Sequence, residues 1–126
     1  MHSLIFIHNL MHGERPKPFD LVAIWAVFFA TFAVVIWALG LSLSHLVMAF
    51  MASDWVAGIV ANASHSTRAW WRARPVFRKI FYAVHLIEVP LVLWLAPSLL
   101  VALLMLLALA IKLVVFAQGG KACPAS

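Results

Sequence analysis

Between Asp20 and Asp54 the chain carries no acidic residue, no lysine and no arginine. Within that stretch, Leu21 to Met51 is apolar apart from Thr31, Gly40, Ser42, Ser44 and His45. A straight helix over these roughly 31 residues would be about 46 Å long. The hydrocarbon core of a bilayer is ~30 Å thick and is crossed by about 20 apolar residues. The run therefore reads as membrane-embedded and is too long for one ordinary span.

Two arrangements accommodate it. In the first, Gly40 and the segment from Ser42 to His45 make a tight turn, with spans over about 21–39 and 43–62. In the second, one long tilted helix reaches Met51, and residues 54–64 lie as an interfacial helix. The cluster of Gly40, Ser42 and Ser44 is a turn signal and favours the first. Against it stands Asp54, which would then lie inside a span at a cost. Span three is expected from near Ile80 to Ala96, Pro97-Ser98 makes a corner, and span four covers about 99–117, ended by Gln118-Gly119-Gly120. The expected fold is all-α and polytopic, with four transmembrane helices in two hairpins; three spans plus an interfacial helix is the alternative.

The composition agrees. The 126 residues are 66% hydrophobic and 10% charged, whereas a soluble domain is about half apolar and a quarter charged. Length allows one small domain. It divides into a polar N-terminal tail over 1–19, a transmembrane domain over 20–118 with a basic loop at 63–79, and a C-terminal tail over 119–126. Asp20 is placed to cap the first helix. Met1 to Arg15 does not read as a secretory signal, because no basic residue precedes the short apolar stretch Leu4–Ile7.

Lysine and arginine number nine against four acidic residues. The excess does not read as nucleic-acid binding, because Arg68, Arg72, Arg74, Arg78 and Lys79 crowd one loop between apolar segments. Such loops face the cytoplasm. An even number of spans then puts both termini in the cytoplasm, in agreement with Arg15, Lys17 and Lys121, and the expected location is a cell inner membrane. Trp70, Trp71, Arg72, Arg74 and Arg78 are the expected contacts to lipid headgroups or to a partner. Trp25, Trp37, Trp55 and Trp94 are expected in interfacial belts, and Lys112 is expected to snorkel to the headgroups.

Glu88 stands near the middle of span three, one turn from His85 and on the same helix face. A charge at that depth costs at least ~2.5 kcal/mol. Glu88 is therefore expected to face other helices, and to be protonated or hydrogen-bonded, with His85 the nearest partner. His45 and His85 raise the possibility of a bis-imidazole haem b site. The four-span arrangement holds them too far apart for it, so the expected cofactor content is none. His2, His8, His12 and Glu14 lack a well-spaced ligand set, and no metal is expected. The ending Cys123-Pro124-Ala125-Ser126 has the bare form of a prenylation box, with proline at an unfavourable position.

No phosphate loop, nucleophile elbow, zinc-protease motif or paired catalytic carboxylates occur, and no non-membrane segment is long enough for a catalytic domain. The first functional expectation is a non-catalytic, structural or scaffold subunit of a larger inner-membrane assembly, held by lipids and by other membrane subunits or further copies of itself. The alternatives are a small oligomeric ion or proton transporter or channel with Glu88 and His85 in its path, and a haem- or quinone-holding anchor of a respiratory or photosynthetic complex.

Overall fold

The computed structural model describes residues 2–13 and 16–119. Glu14, Arg15, Gly120, Lys121 and the Cys123–Ser126 box lie outside the described residues, and so do the side chains of His2, Leu10 and Met11. The described chain is all-α: α1 (His2–His12), α2 (Pro18–Leu39), α3 (Leu43–Ala63), α4 (His65–Arg72), α5 (Pro75–Leu95) and α6 (Leu99–Gly119). Three of these, α2, α3 and α6, are long and apolar enough to cross a membrane. The equally long α5 differs by carrying Arg78, Lys79 and Glu88.

The breaks fall where the turn chemistry puts them. Gly40 ends α2 with φ +89°, a left-handed conformation that suits glycine. Ser42 then caps α3, its side chain accepting from the His45 amide at 3.2 Å. One continuous helix to Met51 is thus not formed, nor is a separate helix over 54–64. At the second turn Ser98 Oγ accepts from the Val101 amide at 3.2 Å. Asp20 does not cap α2. Lys17 holds the cap position and Pro18 occupies the first turn, its fixed φ fitting a helix start.

Two segments expected as tail and loop are helical. Residues 2–12 form α1, which packs on α4, the helix inside the basic segment. Ser64 caps α4 by accepting from the Thr67 amide. The contact between the two helices is close at Gly13, where an added Cβ would strike Ser66. Together α1 and α4 make a layer across one end of the four long helices, called here the α4 end. Lys17, Arg68, Arg72, Arg74, Arg78 and Lys79 all belong to that end, whereas the turns at 40–42 and 96–98 carry no charge.

The bundle is built around α3, which packs on α2 and on α6 and also touches α5. Between helices in lipid there is little hydrophobic drive, so close packing of small residues and polar contacts carry association. Ala49, Ser53, Ala57 and Ala61 recur at intervals of four along α3, and all are buried. Ala57 and Ala61 meet Ile24 of α2. On another side of α3, Met48, Met51, Ala52 and Trp55 pack with Val92 of α5 and with Ala102, Met105 and Leu109 of α6.

Candidate intramembrane polar site

Four ionisable residues and one indole meet between α3, α5 and α6. Asp54 and Trp55 come from α3, His85 and Glu88 from α5, and Lys112 from α6. Asp54 lies nine residues from the end of α3, so the cluster sits about 14 Å inside the α4 end of the helix. That is bilayer depth for a helix of this length.

Lys112 is the hub. Its Nζ donates to Asp54 Oδ2 at 3.1 Å and to His85 Nε2 at 2.7 Å. The ammonium has only hydrogens to offer, so Nε2 must accept. His85 Nδ1 then carries the ring hydrogen and donates it to the Phe81 carbonyl at 2.7 Å. The network thus assigns a neutral imidazole with a defined tautomer. The Phe81 ring lies 5.1 Å from Nζ, within cation–π range. Gly58 makes room on the α3 side, since a Cβ there would lie 2.5 Å from Lys112 Cε. Glu88 bonds elsewhere: its Oε2 accepts from Trp55 Nε1 at 2.8 Å.

These contacts revise several expectations. Lys112 does not snorkel outward; it is 3% exposed and bridges two helices. Glu88 and His85 share a face, but their partners are Trp55 and Lys112, not each other. Trp55 is fully buried and serves no interfacial belt. Asp54, whose burial counted against a second span, has its counter-ion in Lys112. The informative signal was the pair of opposite charges, one in each of two apolar helices. A lone charge at that depth is costly, and two of opposite sign relieve each other. His45 is elsewhere. It lies in the first turn of α3, nine residues or about 14 Å from Asp54, with Nδ1 3.0 Å from the Gly40 carbonyl. His45 and His85 are therefore not brought together around one iron. Among the described residues no group of three His, Cys, Asp or Glu side chains is placed to hold a metal ion.

The basic segment is used internally. Trp70 and Trp71 are buried with Phe116, and Phe81 and Tyr82 pack against them. Arg72 Nε donates to the Gly119 carbonyl at 3.3 Å and Arg78 donates to the Phe116 carbonyl at 3.0 Å. Both thus supply donors to the C-terminal carbonyls of α6, where cations are favoured. Arg74 donates to the Trp70 carbonyl and lies over the Trp70 ring. Arg72, Arg74 and Arg78, the three arginines expected at lipid or a partner, also make contacts within the chain that link α4, α5 and α6.

Two hollows reach the polar cluster. A cavity of about 440 Å³ lies on the α4 side, where residues of α2 and α5 face each other across a gap, and its wall includes Asp54, His85, Glu88 and Lys112. A second, more open hollow, bordered by Leu46, Val47, Phe50 and Leu91, comes from the opposite end. Asp54 and Glu88 line both. Comparison of the chain with protein-family models, curated proteins and solved structures gives no match.

Proposed function

We propose that this chain is a four-span protein of a cell inner membrane, and that it works as a small proton-exchanging transporter without chemical catalysis of its own. α5 is the fourth span. Its Arg78 and Lys79 stand among the first five residues, at headgroup level, which leaves Glu88 as its one charge at depth. The basic α4 end faces the cytoplasm, as do both termini.

The observation that carries the reading is that Asp54 and Glu88 line two hollows that approach from opposite ends. A purely structural cluster would be sealed. Here the Asp54 side chain is 42% exposed although its partner Lys112 is buried. Energetics point the same way. Apolar substitution of a buried ion pair is often neutral or stabilising by about 1–4 kcal/mol, so glue alone has a cheaper solution. Polar groups that meet at bilayer depth, in contact with cavities, are the equipment of a proton path.

The test is reconstitution into liposomes with an internal pH reporter and an imposed pH gradient, with sodium, potassium and an organic cation each supplied in turn as the exchanged solute. The native chain is expected to dissipate the gradient. Glu88→Gln and Lys112→Met are expected to abolish that flux, with Glu88→Gln remaining monodisperse. A native chain no more permeable than empty liposomes would refute the proposal.

One observation favours the reading as a non-catalytic subunit. Ile24 is the only fully buried residue of α2, and the face of α2 that does not pack on α3 exposes Val22, Phe29, Val34 and Trp37 to lipid or to another subunit. Purification from native membrane separates the two: a subunit arrives with other chains in fixed stoichiometry, a transporter arrives alone or with copies of itself.

A further inference from the structure

The cavity beside α2 has a definite chemistry. Its walls are aromatic, from Trp25 and Phe28 of α2, Trp71 of α4, and Phe77 and Phe81 of α5. Its volume is in the range of small-molecule sites. The rim is open to the side: Ile80 and Val84 are about half exposed, and Trp25 more than a third. These helices sit at bilayer depth, so the mouth faces hydrocarbon and a lipid-soluble molecule reaches it without crossing water.

The charge inside is unbalanced. Lys112 is committed to Asp54, and His85 is neutral by its tautomer. Glu88 has a neutral donor, Trp55, and no cation within ion-pair distance among the described residues. A carboxylate at this depth is stabilised by either a proton or a cation, and the aromatic side chains elsewhere in the wall of the same cavity favour the cation. We infer that the cavity binds a lipophilic organic cation, of the quaternary ammonium or phosphonium kind, whose charge is neutralised by Glu88 in exchange for its proton. The exchange balances: one cation enters and one proton leaves the Glu88 carboxyl. A neutral lipid tail or quinone would fill the same volume but leave the carboxylate without a counter-ion. This inference rests on the proton-exchange reading and specifies what the proton is exchanged for.

The experiment titrates the purified full-length protein in neutral detergent with tetraphenylphosphonium, read by quenching of tryptophan fluorescence, since Trp25 and Trp71 stand in the wall. Saturable binding is expected, with release of about one proton per cation in weakly buffered solution. Affinity should weaken as pH falls. Glu88→Gln should bind roughly tenfold more weakly or worse, and Glu88→Asp should retain binding. Triphenylphosphine oxide, neutral and of similar bulk, should also bind at least roughly tenfold more weakly. Equal binding of the neutral compound, unchanged binding by Glu88→Gln, or no saturable binding by the native chain would each overturn the inference. Binding in detergent requires no transport. Intact cation binding without proton flux in liposomes would therefore refute the proposed function and leave this site standing. Flux without cation binding would do the reverse.

Discussion

α2 and α3 are consecutive helices of nearly equal length, yet Ile24 is the one buried residue of the first, while nine residues of the second are buried. The more apolar of the two is the exposed one, with a mean hydropathy of 2.5 against 1.5. In a soluble protein the order would be reversed. In a bilayer the lipid is the apolar phase. The helix that meets lipid on most sides must be uniformly apolar, and the helix surrounded by protein can afford Ser53, Asp54, Gly58 and Asn62. The difference identifies α3 as the structural axis of the bundle, and it is open to direct attack by substitution.

The largest expected contrast is between two tryptophans. Trp55→Ala removes a fully buried ring and leaves Glu88 without its donor, so a loss of about 3–5 kcal/mol is expected. Trp37→Ala, at a residue of α2 that is 88% exposed, should change stability by no more than about 0.5 kcal/mol. Thermal unfolding in one detergent compares them. Similar losses would break the contrast between the helices.

Next in size is the ion pair. Asp54→Leu alone leaves buried Lys112 without its carboxylate and should cost about 3 kcal/mol. The double change Asp54→Leu with Lys112→Leu should recover most of that loss. Recovery of stability without recovery of proton flux would separate the functional role from the structural one. A double variant as unstable as the sum of the singles would show that the pair holds the bundle together.

Gly58→Val and Ala26→Val make a smaller comparison. The first drives a side chain into the Lys112 stem, an overpacking expected to cost about 1–3 kcal/mol. The second adds to an exposed face of α2 and should lie within about 0.5 kcal/mol of the native chain. Smallest among the stabilising contacts is Arg78→Gln. It removes the guanidinium over Phe116 and the bond to the Phe116 carbonyl, for an expected loss of about 1 kcal/mol. Fraying at the end of α6, seen as faster amide exchange near Phe116, is the readout. No change in that exchange would return Arg78 to lipid or a partner.

The four long helices were legible because apolar runs, Gly40 and Pro97 are local signals, and the observed bounds differ from the expected ones by only a few residues at most ends. α1 was not legible as a helix. Its apolar residues Leu4 to Ile7 are few, and it gains its place by packing on α4. The cluster was half legible. Glu88 and His85 stood out as ionisable groups at depth on one face, but their partners lie 33 and 27 residues away along the chain. Periodicity within one helix carries no information about which residue of another helix it meets. Asp54 and Lys112 were each explained singly, one as a cost and the other as a snorkelling side chain. Each has a simpler account as half of a pair.

The central claim is that Glu88 takes up and releases a proton within the membrane. Infrared difference spectroscopy of the protein in lipid vesicles, with pH stepped across the titration, observes the carboxylic acid directly. A protonation band absent from Glu88→Gln and shifted by Trp55→Phe, which removes the indole donor, is the expected result. Identical difference spectra for the native chain and Glu88→Gln would contradict it.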